Sequence, residues 1–319
     1  MIFKKPEKKG GLPRIIMFCG KGGVGKTTCA SSTAIHYSSA GYRTLLISTD
    51  PSPSLSDIFE MNVKGEVTEI PSLSNLDVVE LDYDRILDMW KEKFGEEVYL
   101  VISSFLPVER DIINYVAGAP GISEEFALSY LYDLYIGGNY DVIIWDTAPA
   151  GGTLSLLHLQ ETFYTHMIEA ARLYIRVQET LKTLTGRERR DPLKIIGKWE
   201  KLAKNVLDMV RSEETIAFLI TIPEFLSVNQ TERIKLELEK FDVTIGGIIV
   251  NNIISSECTG SNLFKERKKV QEKYIKIVEE TYSEILPIKK LSLQEYEVKG
   301  IDALLQVEDE LFSPEPNIF

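Results

Sequence analysis

Cysteine, long apolar runs and positive charge are all scarce in this sequence, and each shortage excludes a class of protein. The 319 residues contain three cysteines, Cys19, Cys29 and Cys258, and no C-x-x-C pair. A zinc ribbon or a redox pair within one chain is therefore excluded, and an odd number of cysteines fits reduced thiols in a reducing compartment. No apolar run approaches the ~20 residues that a membrane-spanning helix needs, so we expect no transmembrane segment.

The charge balance is acidic, with a formal net charge of −12 and a pI of about 5.0. Nucleic-acid binding needs basic surface to neutralise phosphates, so we expect no nucleic-acid partner. Two basic runs, residues 186–191 and 265–269, are interpreted as solvated helix ends and faces. The lysine-rich start has no apolar segment after it, which excludes a secretory signal and predicts a flexible lead over residues 1–13. We therefore expect a cytoplasmic protein, peripheral to a membrane only through a partner.

Apolar runs alternate with amphipathic stretches along most of the chain. Five runs predict buried parallel strands, at residues 14–19, 43–49, 141–146, 215–221 and 245–251. The weaker candidates for a sixth and a seventh strand are residues 76–81 and 284–288. Helices are predicted at residues 27–40, 231–240 and 263–282, the first of them closed by Gly41. The alternation predicts an α/β fold with a doubly wound, mostly parallel sheet, whose ligand site lies at the carboxyl ends of the strands.

Two long segments without strand signals, residues 83–135 and 154–212, interrupt this alternation. In the second segment apolar residues recur three and four positions apart, as they do on one face of a helix. A single covering helix needs only ~12 residues, so the length of the segments favours an α-helical subdomain inserted into one domain over residues 14–319. A set of ordinary covering helices is the alternative.

A glycine-rich loop follows the first predicted strand and precedes the first predicted helix. It reads G-x-x-x-x-G-K-T from Gly20 to Thr27. Glycines let the backbone turn its N–H groups toward a phosphate, and the helix N-terminus adds positive potential there. Lys26 is expected to contact the β- and γ-phosphates of a nucleotide, and Thr27 is expected to hold Mg²⁺. The residues expected to bind the nucleotide are Gly20, Gly22, Gly23, Val24, Gly25, Lys26, Thr27 and Thr28.

Acidic residues follow two of the other predicted strands. Asp146 ends the run VIIWD and suits the metal side of the nucleotide, and capping of a following helix is a compatible role. Asp50 ends the second predicted strand and is therefore also expected to point into the site. Asp57 is predicted to begin a short helix in the segment STDPSPSLSDIF. Either Asp50 or Asp57 could orient a water for in-line attack or hold the water shell of the metal, and the alternative for Asp57 is to cap that helix.

The glycine loop carries a second lysine, Lys21, for which a phosphate loop in a single subunit has no use. With this lysine directly after the first glycine, the stretch GKGGVGKTT resembles the deviant Walker A ATPases. The segments DPSPSLSD and DTAPAGGTLSLL resemble the two switches of the branch that contains the arsenical pump ATPase (ArsA) and the guided-entry ATPase of tail-anchored protein targeting. Weaker matches extend the resemblance over residues 14–307, nearly the whole chain.

This resemblance implies a P-loop NTPase fold of the SIMIBI type, in which two nucleotide sites face each other across a homodimer. Lys21 of one subunit would reach the phosphates bound by the other subunit. Asp57 would position the attacking water, and Asp146 would hold the metal through a water molecule. Asp50 would support the site from further out, and Asn251 would read the adenine.

The resemblance also implies that closure of the dimer around ATP reshapes the helical subdomain. We therefore expect Mg²⁺-dependent ATP hydrolysis by a nucleotide-gated homodimer, coupled to binding and delivery of a hydrophobic client such as a tail-anchored membrane protein helix, with a membrane receptor as a further partner. Aromatic residues that either line a client groove or belong to a plain core are Phe105, Phe163, Tyr164, Tyr174 and Trp199. The alternative function is the ATPase subunit of an anion or arsenite efflux pump.

The chain departs from the family at the positions that bind zinc and metalloid. The family's zinc clasp takes C-x-x-C from each subunit, whereas Ser261 stands three residues after Cys258, so we expect no zinc. No cysteine lies in the segment APGISEE or in the predicted inserted helices, which disfavours activation by arsenite. Pro53 and Gly152 replace two switch histidines, a change that bears on coupling to the client rather than on the phosphate chemistry.

Overall fold

The computed structural model describes residues 14–50, 54–148, 192–255 and 262–313, together with the single positions 158, 162, 165 and 169. Within these ranges no helix is long and apolar enough to cross a membrane. The second predicted switch after its first three residues, the replaced histidine positions Pro53 and Gly152, and Cys258 lie outside the described residues.

One eight-stranded sheet contains all the strands of the described part. The strands in chain order are β1 (Arg14–Gly20), β2 (Thr44–Ser48), β3 (Thr68–Glu69), β4 (Leu76–Glu80), β5 (Val142–Asp146), β6 (Thr215–Thr221), β7 (Thr244–Ile253) and β8 (Ile288–Ser292). Their order in the sheet is β3-β4-β2-β5-β1-β6-β7-β8. Every neighbouring pair is parallel except β3 with β4. The predicted α/β fold with a mostly parallel sheet is confirmed.

Helices connect most of these strands. They are α1 (Lys26–Ser39), α2 (Leu55–Ile58), α3 (Tyr83–Phe105), α4 (Ile112–Ala117), α5 (Ile122–Gly137), α6 (Leu193–Arg211), α7 (Phe225–Lys240), α8 (Asn262–Tyr282) and α9 (Gly300–Phe312). Helix α1 ends just before Gly41, which has a left-handed φ of 87°, as a glycine after a helix end commonly does. Helix α7 begins well before the predicted residue 231. The prediction began too late because the first turns of the helix carry buried polar residues, such as Ser227 and Thr231, which interrupt the apolar pattern.

The position predicted for the seventh strand, residues 284–288, is wrong. These residues mostly form the turn after α8, in which the Leu286 N–H donates to the Tyr282 carbonyl oxygen at 2.8 Å, and Pro287 has no N–H to offer a sheet. Strand β8 begins at Ile288 and contains two lysines, so a search for apolar runs does not find it. The edge strand β3 has two residues, too few for any periodic pattern.

The core lies between the sheet and the helices that cover it. Buried side chains of β1 and β2 pack in one cluster with residues of α1 and α9, among them Phe18, Leu46, Ile35 and Leu304. Burial of apolar surface at roughly 25 cal/mol per Å² is the main force that holds such layers together. The packing therefore fixes α1, and the loop that precedes it, against the end of β1.

The carboxyl ends of three neighbouring strands lie in one row of the sheet. Ser48, the last residue of β2, is paired with Asp146 of β5 on one side and with Glu80 of β4 on the other. Ligands of open parallel sheets bind at the carboxyl ends of the strands. This polar row next to the end of β1 is therefore the expected place for a site.

The chain divides into two compact units. The first consists of Met1–Leu81, Leu134–Leu154 and Arg211–Phe319, and the second of Asp82–Asp133 and Ser155–Val210. The first unit contains the sheet, and the described parts of the second are helical. The inserted helical subdomain over residues 83–135 and 154–212 stays a prediction, because most of residues 154–191 lie outside the described part of the chain.

Candidate active site

The glycine loop runs from the end of β1 to the start of α1, and two of its glycines have no room for a side chain unless a neighbour moves. A Cβ on Gly20 would lie 2.4 Å from the carbonyl oxygen of Ile220 on the neighbouring strand β6. Gly25 has a φ of 94°, and a Cβ there would lie 2.2 Å from the Asn251 side-chain nitrogen. Side chains at either position would push apart the elements that hold the loop. The sequence pattern therefore reflects close backbone packing as well as phosphate chemistry.

Lys26 is the first residue of α1, and its side chain is buried although it carries a charge. The residue is 6% exposed, and its ammonium nitrogen lies 3.5 Å from the carbonyl oxygen of Lys21. Lysine is seldom buried to this degree unless it is paired. An anionic ligand in the loop, as a phosphate would be, supplies the partner that such a lysine needs.

Asp146 ends β5 and lies under the first turn of α1. Its Oδ2 atom accepts hydrogen bonds from the Thr27 hydroxyl at 2.8 Å and from the Ser48 hydroxyl at 3.3 Å. Burial raises the pKa of this carboxyl to about 6, against the opposing effects of the Thr27 hydrogen bond and the Lys26 charge. Asp50 lies two residues beyond the end of β2, and its charge raises this pKa further.

The second oxygen of Asp146 is the feature that bears most directly on metal binding. Its Oδ1 atom is buried and has no hydrogen-bond partner within the described residues. An orphaned buried carboxylate oxygen is costly, and Mg²⁺ takes oxygen ligands and usually retains several waters. The Thr27 hydroxyl and the Asp146 carboxylate are thus the donor set that Mg²⁺ prefers, and the two residues fit the ion.

Helix α2 brings Asp57 to the same place. A cavity of about 590 Å³ is lined by Thr27 of α1, by Asp57 of α2 and by Lys299 at the start of α9, among others. Asp57 is exposed, and the hydroxyls of Thr27 and Ser54 are 3.4 Å apart. The alternative role of Asp57 as the cap of this helix is wrong, because α2 begins at Leu55 and its N-cap residue is Ser54.

Asn251 and Lys21 also lie at the loop. The Asn251 side-chain amide, near the end of β7, donates to the Val24 carbonyl oxygen at 2.9 Å and so holds the loop from the β7 side. Lys21 is partly exposed, and its side chain makes no hydrogen bond or ion pair with the described residues. The predicted residues of the loop, Asp146 and Asn251 are therefore joined by direct contacts, whereas Asp57 shares the cavity with Thr27.

Sequence reasoning missed one buried acid at this edge. Glu80 ends β4, is 2% exposed and accepts hydrogen bonds from the start of α2. The signal that singled out Asp146, an acidic residue at the end of an apolar run, is also present in the stretch LDVVE. The predicted run of residues 76–81 ends at Leu81, so the acid that ends the observed strand stands inside the predicted one.

The two cysteines of the described part lie beneath the loop. Cys19 and Cys29 are both completely buried, and burial raises the pKa of each thiol to about 12. Metal and metalloid ligands are thiolates rather than thiols. These two residues are therefore poor ligands for a soft metal or metalloid.

Known proteins match nearly the whole chain. Residues 13–313 match the family of anion-transporting ATPases (ArsA). ATPase ASNA1 homolog 1 of Paramecium tetraurelia is 30% identical over an alignment 318 positions long, with coverage of 92% of this chain and 91% of that protein. Putative arsenical pump-driving ATPase 2 of Aquifex aeolicus is 30% identical, with coverage of 91% and 96%. ATPase GET3 of Komagataella phaffii is 29% identical, with coverage of 92% and 88%. The chain therefore belongs to the anion-transporting ATPase (ArsA) family and is an ATPase of that family.

Proposed function

We propose that this ATPase depends on Mg²⁺, works as a nucleotide-gated homodimer, and couples hydrolysis to the binding and delivery of a hydrophobic client such as a tail-anchored membrane protein helix. The observation that carries the chemistry is the buried Asp146 carboxylate, with one oxygen on the Thr27 hydroxyl and the other without a partner in the described residues. A membrane receptor is a further proposed partner.

Each residue has a proposed role in phosphoryl transfer to water. Lys26 would contact the β- and γ-phosphates, while Thr27 and Asp146 would hold Mg²⁺, the aspartate through a water molecule as the family resemblance implies. When bound, the ion neutralises charge on the phosphate oxygens. Asp57 orients the attacking water, and its exposure beside Thr27 in the same cavity supports that role. Asn251 reads the adenine, a role supported by its position against the loop.

Lys21 is the main support for the homodimer. Lys26 already supplies the lysine that its own loop requires, and Lys21 is partly exposed on the same loop. We propose that Lys21 acts on the nucleotide of the facing subunit. Light scattering with and without a non-hydrolysable ATP analogue tests the dimer, since a monomer in both conditions would refute it.

Mixed dimers test the proposal that Lys21 acts across the interface. Lys21→Ala and Asp57→Asn subunits are each expected to be inactive as homodimers. After mixing and exchange, the Lys21→Ala subunit retains its own Asp57 and receives Lys21 from its partner, so activity should return to one site per mixed dimer. A lysine that acts on its own subunit's nucleotide predicts no recovery at any mixing ratio.

An apolar cavity in the second unit supports the client. It has a volume of about 210 Å³ and is lined by aromatic and aliphatic residues of α3, α5 and α6, including Trp90, Phe94, Phe126 and Trp199. Trp199 is the one predicted groove residue whose side chain the structure describes; it also donates to Glu97 at 2.8 Å. Co-purification with a tail-anchored helix should depend on ATP, and an equal yield with an unrelated soluble helix would contradict the client.

A second candidate function is suggested by the similar protein named a putative arsenical pump-driving ATPase. That function would make this chain the ATPase subunit of an anion or arsenite efflux pump. It predicts faster turnover with arsenite or antimonite, whereas the buried thiols of Cys19 and Cys29 favour no response. Phosphate release measured over a range of arsenite concentrations separates the two.

A further inference from the structure

We infer that Glu80 is a positioning residue that holds helix α2, and with it Asp57, at the nucleotide site. The inference rests on the proposed role of Asp57 in orienting water. Glu80 is the last residue of β4, so its place is fixed by the sheet. Its Oε1 atom accepts hydrogen bonds from the backbone N–H groups of Ser54 and, at 2.9 Å, of Leu55. Its Oε2 atom accepts from the Ser56 hydroxyl at 2.7 Å.

Helix α2 needs such an anchor because it cannot stabilise itself. It has four residues, and isolated helices below ~12–15 residues are marginal in water. Its N-cap residue, Ser54, makes no side-chain capping bond, so the first N–H groups of the helix depend on an acceptor from elsewhere. Glu80 supplies that acceptor, and a hydrogen bond to a carboxylate is stronger than one between two neutral groups.

The anchor leads directly to the site. Ser54, whose N–H is bonded to Glu80, has its hydroxyl 3.4 Å from the Thr27 hydroxyl. Asp57 follows within the same helix. After the helix, Glu60 forms an ion pair with Lys299 at 3.0 Å, but both side chains are about half exposed, and exposed pairs hold geometry weakly. Alongside the core packing of Leu55 and Ile58, Glu80 thus supplies the buried polar contacts that set the position of Asp57.

Glu80 does not act on the nucleotide itself. Both carboxylate oxygens are engaged, by three donors in total, and the residue is 2% exposed. A general base or a metal ligand needs a lone pair directed at the reacting group, and Glu80 is not among the residues that line the cavity at Thr27 and Asp57. Any effect of Glu80 on turnover is therefore indirect and arises from the position of helix α2.

A double-mutant cycle tests this role. Glu80→Ala should lower kcat by about 10-fold to 100-fold, as expected when a catalytic group is displaced by about 1 Å. The Kd for a fluorescent ATP analogue should change by less than about twofold, since the loop and Lys26 are untouched. In the Asp57→Asn background, Glu80→Ala should lower kcat no further, because non-additivity marks residues that act as one unit. Additive losses would overturn the inference.

Two further variants keep the test decisive. Asp77→Ala is the matched control, since Asp77 is an acid of the same strand that accepts from the Tyr140 hydroxyl at 2.9 Å, and it should retain wild-type kcat. If Glu80→Ala does not fold, Glu80→Gln preserves the shape and should lower kcat about threefold to tenfold through weaker acceptance. A folded Glu80→Gln enzyme with wild-type kcat would overturn the inference. If instead Asp57→Asn alone leaves kcat unchanged, the proposed role of Asp57 fails first.

Discussion

Asp146 and Glu80 occupy equivalent positions in the sheet and have opposite surroundings. Each is a buried acid that ends a parallel strand, in register with Ser48 between them. Asp146 lies under the start of α1 and has one oxygen without a partner in the described residues, whereas Glu80 lies under the start of α2 with both oxygens bonded. The same sequence feature thus yields an open ligand in one strand and a closed anchor in the other, and the covering helix makes the difference.

The largest expected effect comes from substituting Asp146, the acid that has one oxygen without a partner in the described residues. Asp146→Asn should lower turnover at saturating ATP and Mg²⁺ by about 100-fold to 1,000-fold, the range found when one group that stabilises developing charge is removed. Glu80→Gln, which removes a charge two strands away, on the far side of β2, should cost no more than about tenfold. Phosphate release under identical conditions measures both. Equal losses would show that the two acids do not differ in role.

The next largest expected effect is on the stability of the fold, and it follows from the raised pKa of Asp146. Its folded pKa of about 6 lies above the ordinary value of 3.8, so the folded state holds a proton that the unfolded state has already released. This contribution to stability is complete below pH 3.8 and is lost as the pH rises through about 6. This difference in pKa between the folded and unfolded states corresponds to a free energy of about 3 kcal/mol.

Asp146→Asn should therefore stabilise the nucleotide-free protein, because the amide removes a carboxylate that is forced to ionise. The gain should approach about 3 kcal/mol above pH 7 and shrink toward zero near pH 4. Thermal or denaturant unfolding in EDTA, with wild type and variant compared at each pH, measures it. A difference that does not vary with pH would mean that the carboxylate is stabilised in its charged form by other contacts.

The sequence predicts strands that are buried on both faces and motifs that are continuous in the chain, and it predicts contacts between distant residues less well. Strands β2 and β5 are buried on both faces and read as continuous apolar runs, so the sequence locates them within a residue or two. Strand β8 carries lysines and is misplaced. The glycine loop is one continuous stretch of sequence and can be recognised from it. Ser54, whose N–H donates to Glu80, lies 26 residues from that acid in the chain. Which acid stays open depends on the helix packed above it, and no local spacing encodes that.

The smallest effects come from the two hydroxyls that contact these acids. Thr27 donates to Asp146 at 2.8 Å and Ser56 donates to Glu80 at 2.7 Å, so the bonds are matched in length and in the charge of the acceptor. Removing either hydroxyl should lower the free energy of unfolding by about 1–3 kcal/mol, the range for a hydrogen bond to a charged group. Stability alone therefore does not distinguish them.

The dependence on Mg²⁺ distinguishes the two hydroxyls. Thr27→Ala should raise the Mg²⁺ concentration needed for half-maximal turnover by about tenfold or more, because it removes a proposed ligand and reorients Asp146. Ser56→Ala should leave that concentration unchanged and lower kcat only a few-fold, since Glu80 retains its two backbone donors and α2 stays close to its place. A shift in Mg²⁺ dependence for Ser56→Ala would mean that Glu80 also belongs to the metal site, which would erase the distinction between the two acids.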